Sequence, residues 1–356
     1  MKKKLALLLS LTLCVTLLAG CSGSSGSSDT SDTSSSDADT ASADAADTAD
    51  TADASTAETD GELTSMTIAF CTWAGYAPLF IADEMGYFEA YGYDVDIIIM
   101  EDESTYGAAF VSNSIQALGQ VLDRDIIQYA AGAPEQYVCT MDASTGGDGL
   151  VADESIETVE DLAGKTIALD KSATSYFFFL QVLEDYDVTE DDMTIVEMGN
   201  DEAGQAFIAG QVDAAITWEP ILSSCEEERE GGHILVTSAD YPKAILDVLT
   251  VNSNFAEEHP DIYEVLAECW YQAVDYLNEN FEEGCEIMAV GLDLDTEEVM
   301  EECEGITYYD REANEEFNDL SAEENVKDIA EMAAGFWVEK GLMDSDDLDG
   351  FFPTLE

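Results

Sequence analysis

Apolar and polar positions divide the chain into three stretches. Between residues 66 and 143, β-rich runs at 66–73, 94–100, 115–121 and 136–143 alternate with helical patterns at 78–92, 105–114 and 123–132. Pro78 stands in the first turn of the first helix and Gly92 just past its end, the usual punctuation of a helix. A second stretch places strands at 165–170, 194–199, 212–218 and 233–238 among helices at 157–164, 175–186, 201–211 and 223–232. From His259 onward the pattern turns helical and strongly acidic, with apolar residues at helical spacing over 262–277 and 326–342. This alternation predicts an α/β body with largely parallel sheets. Two blocks predict two lobes, with GLVAD (149–153) and ILDVLTVN (245–252) as the crossings of a two-segment hinge over a cleft. Lobe 1 then comprises 63–150 and 248–356, its second part helical, and lobe 2 comprises 151–247.

The first 62 residues read differently. Lys2, Lys3 and Lys4 precede an apolar run, and residues 1–20 are expected to be a secretory signal peptide. The run ends in LAGC (18–21), which resembles the bacterial lipobox and would place a lipid on Cys21 and tether the protein to the outer face of the cell membrane. Residues 22–62 are almost wholly Ser, Thr, Asp, Ala and Gly. They cannot bury enough apolar surface to offset ordering, so 21–62 is expected to be a disordered acidic linker.

The formal net charge is −68, which makes nucleic acid and anionic membrane surfaces poor partners. Of the cysteines, Cys14 falls in the signal and Cys21 at the lipid site. Cys71, Cys139, Cys225, Cys269, Cys285 and Cys303 lack the close spacing of a metal site. They read as buried, apolar-like thiols, with room for one bridge among the last three; their pairing is open.

Open α/β sheets bind ligands beyond the carboxyl ends of their strands. The candidates there are Trp73 and Tyr76, Ser104 and Tyr106, Ser144 and Asp148, then Ser172, Thr174 and Ser175, and finally Trp218 and Glu219. Each has a plain alternative: the tryptophans as core, the STGGDG segment as a surface turn, Ser172 as a helix cap, Glu219 as a solvated acid. Five strand ends that converge outweigh those readings. The start of the helix in LDKSATSYFFFLQVL (169–183) carries no acid, so its free N–H groups and hydroxyls could hold an anionic head. Asp148 or Glu219 could take an ammonium group, and the aromatic rings could cover a short linker or a cation. An acid placed at 175 would then abolish binding of an anion.

AGYAPLFIADEMGYFEAYG (74–92), STGGDGLVA (144–152), DLAGKTIALDKSATSYFF (161–178) and AFIAGQVDAAITWEP (206–220) resemble the substrate-binding proteins of nitrate, sulfonate, taurine and bicarbonate importers, the NMT1-like family. The resemblance implies a type II periplasmic binding protein, in which two α/β lobes close on a ligand that is handed to an ABC permease and its ATPase. The strand-end residues favour a small anionic or zwitterionic organic solute, and a monomer with no cofactor, metal or catalytic residue is expected. One alternative is a thiamine-precursor pyrimidine stacked between Trp73 and Trp218. Another is a pyrimidine-synthase-type enzyme, against which the missing cysteine run and the only histidines, His233 and His259, argue. A surface lipoprotein without a transport role is a further alternative.

Overall fold

The computed structural model describes residues 63–171, 174–186, 188–241 and 243–355, so the signal, Cys21, the linker and Ser172 lie outside the described residues. Its strands are β1 (Thr64–Phe70), β2 (Tyr93–Ile99), β3 (Ala117–Val121), β4 (Glu135–Ser144), β5 (Asp148–Ala152), β6 (Thr166–Leu169), β7 (Thr194–Glu197), β8 (Ala214–Trp218), β9 (His233–Thr237), β10 (Leu246–Asn252) and β11 (Ile306–Tyr308). They form two sheets, ordered β11-β4-β10-β3-β1-β2 and β7-β6-β8-β5-β9.

The sheets are mixed rather than largely parallel. β1 runs parallel to β2 and β3, and β6 to β7 and β8. β4 carries the chain out of the first sheet and β10 brings it back. The two are neighbours, so they must run antiparallel. For the same reason β5, entering the second sheet, pairs antiparallel with β9, leaving it.

The crossings sit earlier than the apolar runs suggested. Residues 148–152 are hydrogen-bonded to β8 and β9 along their length, which makes them a strand of the second sheet. The outward passage is the turn 145–147, and the return is 238–245, ahead of β10. Two predicted helices are also broken. The stretch 78–92 divides into Pro78–Glu84 and Tyr87–Ala90 because Gly86 takes a left-handed conformation (φ 69°). The stretch 157–164 holds only a 3₁₀ turn, Val159–Leu162, started by a Thr158–Asp161 capping box. The acidic tail includes β11, an edge strand on β4.

One face of the first sheet is covered by the helix Ile262–Glu279, whose Trp270 is fully buried; Tyr106, Phe110 and Leu118 pack on the other face. The helix Thr174–Glu184 buries Tyr176, Phe177, Phe178 and Phe179, apolar on nearly every side because it lies between the second sheet and the tail helix Val326–Glu339. Phe177 meets Phe336 edge-on at 5.0 Å between ring centroids, and Trp337 lies 6.3 Å from Tyr176. The core is therefore continuous from one sheet to the other. No helix among the described residues is long and apolar enough to cross a membrane.

This core also encloses acids. Asp123, Asp125 and Glu135 are buried, and Gln120 Nε2 donates to Asp125 Oδ1 at 2.6 Å. Burial raises Asp123 to about 6 and Glu135 to about 8. Such groups stabilise the fold while protonated. Their contribution is complete below the ordinary carboxylate range and is lost as pH rises through the folded values. Lowering the pH of the unliganded protein from about 8 to about 5 is expected to raise its thermal midpoint in calorimetry. Truncation of the fully buried Trp337 to Ala should cost about 3–5 kcal/mol, read as a lower denaturant midpoint.

Candidate ligand-binding cleft

The chain's aromatic and acidic strand ends meet in a two-part cleft between the sheets. Its inner chamber is lined by the loop after β1 (Cys71, Trp73, Tyr76), the ends of β3 and β8 (Val121, Trp218), the starts of β5 and β10 (Asp148, Ile245, Asp247) and Thr174. The chamber is small, about 40 Å³ measured as room for the centre of a water molecule, against about 500 Å³ for the outer compartment. Cys71 and Trp218 belong to both parts.

Trp73 is held in place from three sides. Its Nε1 donates to Asp142 Oδ1 at 3.4 Å. A Cβ on Gly147 would lie 2.5 Å from its Cη2, and one on Gly75 would lie 2.2 Å from its Nε1. Only glycine lets the backbone approach the indole this closely. Tyr76 donates a short hydrogen bond to Asp247 Oδ1.

Asp142 and Asp247 are register partners on β4 and β10, so the antiparallel ladder sets two acids side by side; Asp247 lines the chamber and Asp142 lies behind it, against Trp73. Asp148 faces Trp218 across the β5–β8 pair. All three are buried, and the chamber lining contains no Lys, Arg or His. Burial lifts Asp142 to about 7; hydrogen bonds from Asp247 and Trp73 oppose that rise. Asp148 is likewise lifted to about 7 by burial, against a hydrogen bond from Ser144. Asp247 is raised well above the usual range by burial and then by Asp142. A floor of this kind holds protons when empty and can exchange one for a cation. The outer compartment is acidic as well, with Glu101, Asp102, Asp170, Asp201 and Glu202 beside Arg124. Burial and the neighbouring Glu101 both raise Asp201.

Of the predicted site residues, Trp73, Tyr76, Asp148, Thr174 and Trp218 come together in the inner chamber, and Ser104 lines the outer compartment. The other described ones line neither part of the cleft. Tyr106 is core, its hydroxyl donating to the Met100 carbonyl at 2.6 Å. Ser144 shares a 2.7 Å hydrogen bond with Ser238. The Glu219 carboxylate accepts from the N–H and hydroxyl of Ser223, at 3.0 and 2.7 Å, at the start of the helix Ile221–Glu228. Ser175 is buried and donates to Asn200 Oδ1 at 2.6 Å, and Thr174 donates to Asp123 Oδ1 at 2.9 Å. These two hydroxyls are thus spent inside the protein, and an acid at 175 would test packing rather than ligand charge. Asp142 and Asp247 escaped the strand-end search because they lie within strands. Their signal was present: each is a lone acid in an apolar run, VCTMDA and ILDVLTVN.

The profile of the NMT1/THI5-like family matches residues 73–283. A putative aliphatic sulfonates-binding protein of Bacillus subtilis is 28% identical over 231 residues, 62% of this chain and 68% of that protein. The taurine-binding periplasmic protein of Escherichia coli is 28% identical over 124 residues, 34% of this chain and 38% of that protein. Among solved structures, the aliphatic sulphonate-binding protein SsuA of E. coli superposes with a TM-score of 0.66 at 17% identity, covering 79% of this chain and 89% of that one. The nitrate-binding protein NrtA of Synechocystis gives 0.61 at 15% identity, covering 83% and 85%. These likenesses place the fold with the type II periplasmic binding proteins. With the profile matched over more than half its length, the chain belongs to the NMT1/THI5-like family.

Proposed function

We propose that the protein is the extracytoplasmic solute-binding component of an ABC importer, and that its solute carries a protonated amine. The observation that carries this reading is the inner chamber: Asp148 and Asp247 buried beside Trp73, Tyr76 and Trp218, with no base in the lining. A bare anion would meet carboxylates there, whereas an ammonium group would find charge partners below it and π-faces beside it. The other end of a short solute would reach the outer compartment, where Arg124 supplies positive charge among acids. A small zwitterion such as an aminosulfonate matches both ends. The name of the taurine-binding relative supports the same class, and that of the aliphatic sulfonates-binding relative supports its sulfonate end alone. An aminopyrimidine is the second reading, favoured by the presence of two tryptophans in one chamber, with its amine on the same carboxylates.

In this account the lobes close on the solute about the crossings 145–147 and 238–245. A lipid on Cys21 tethers a monomer to the membrane, the linker 21–62 gives it reach, and a permease with its ATPase takes the solute.

Tryptophan fluorescence titrations should find binding by ω-aminosulfonates and none by nitrate or by alkylsulfonates of equal length. The reverse order would sink the amine assignment, and binding of an aminopyrimidine alone would select the second reading. Asp148→Asn keeps the side-chain shape but removes the charge, and calorimetry should show affinity for the amine weakened about 10- to 100-fold. An unchanged Kd would remove Asp148 from the site.

A further inference from the structure

We propose that the tail segment 303–308 is a strut that sets where Trp73 stands, so that Gly305 and Tyr308, which line neither part of the cleft, act as positioning residues for ligand binding. The inference rests on the solute-binding reading above and adds residues of the acidic tail to the machinery of the site.

The segment comprises the 3₁₀ turn Cys303–Gly305 and β11. β11 pairs antiparallel with β4, Tyr308 beside Asp142 and Ile306 beside Ser144, which delivers Gly305 to the turn 145–147 where β4 ends. The strand is tied at its other end as well. Tyr309 N–H donates to the Met141 carbonyl at 2.8 Å, and Nε1 of the fully buried Trp270 donates to the Tyr309 carbonyl at 2.9 Å.

Two contacts carry that placement to the indole. The Tyr308 hydroxyl donates at 2.9 Å to the carbonyl of the buried Ala74, the residue between Trp73 and Gly75. The Gly305 carbonyl accepts from the N–H groups of Thr145 and Gly147, at 2.8 and 3.3 Å, in the outward crossing. The two backbones touch there: a Cβ on Gly305 would lie 2.8 Å from Gly147 N and 3.0 Å from Gly147 Cα. Gly147 also abuts the indole, where its own Cβ would lie 2.5 Å from Trp73 Cη2. Its carbonyl accepts from Glu219 N–H at 2.8 Å, one residue past Trp218.

Gly305, Gly147 and Trp73 are therefore in contact in series, and the first two have no side chain that could bend to absorb a shift. A close-packed interior transmits such a shift rather than damping it. Bulk added at 305 must displace either β11, which is tied at both ends, or the turn 145–147 with the indole that rests on it. Loss of the Tyr308 hydroxyl loosens the same indole from the Ala74 side. One short piece of the tail thus joins a wall of the inner chamber, the outward crossing and the end of β8.

Gly305→Ala and Tyr308→Phe are each made in the full chain, in the wild-type and the Trp73→Phe backgrounds, and titrated with aminoethanesulfonate by calorimetry. Gly305→Ala should weaken binding about tenfold or more in the wild-type background and less than about twofold in Trp73→Phe. Tyr308→Phe removes only a hydroxyl and should cost about two- to tenfold, again with a smaller loss in Trp73→Phe. Equal losses in the two backgrounds, or no loss, would overturn the strut, because a merely structural role does not depend on the ring at 73. A second arm needs no ligand. Trp73 emission, taken as the difference between each protein and its Trp73→Phe counterpart, should change its maximum and its quenching by acrylamide in both variants. An unchanged Trp73 spectrum would overturn the proposal even where Trp73→Phe abolishes binding. Should Gly305→Ala fail to fold, Tyr308→Phe decides alone. A changed spectrum in a protein that binds no aminosulfonate would support the strut and sink only the ligand reading.

Discussion

Two carboxylates buried side by side without a base are the constraint on which the site depends. The β4–β10 ladder fixes the backbone of Asp142 opposite that of Asp247. Ionising both in a dry interior would cost several kcal/mol per charge, so at neutral pH the empty protein keeps at least one of them protonated. Tyr76 and Trp73 donate to them, which orients those rings into the chamber and makes the aromatic walls and the acidic floor one construction. Asp148 completes it from the second sheet. A cation arriving there would replace the missing counter-ion, which is the physical ground for proposing an amine.

The two sheets meet at a small number of crossing residues that are tied to one another. The Ser238 hydroxyl, in the return passage, bonds to Ser144 at the end of β4 and accepts from Gly146 N–H at 2.8 Å in the outward one. The Gly305 carbonyl holds the same turn from the tail side. Further out, Trp337 and Phe336 pack on the helix Thr174–Glu184, so the tail helix touches the second sheet's layer as well as the first. The proposed closure would therefore have to be accommodated by turns of a few residues and by sliding of aromatic contacts.

Much of this was legible in the sequence. Strand and helix periodicity located most strands, and strand-end logic placed Trp73, Tyr76, Asp148, Thr174 and Trp218 in one chamber. What escaped was what depends on pairing. Residues 148–152 read as a crossing because an isolated apolar run does not say which sheet takes its hydrogen bonds. β11 was hidden in an acidic tail because three residues are too few for a period. The serine-rich helix start suggested an anion site, since nothing in the chain order brings Asn200 to Ser175 or Asp123 to Thr174. Asp142 and Asp247 are 105 positions apart, and only the β4–β10 register makes them a pair.

The central claim is that a ligand's cation displaces protons from the carboxylate floor. Calorimetric titration of the protein with an aminosulfonate near pH 7, in buffers of differing ionisation enthalpy, measures the protons exchanged on binding. The account predicts net release of roughly one proton per ligand and an affinity that rises with pH through about 7. Binding with no proton release, or with uptake, would contradict it.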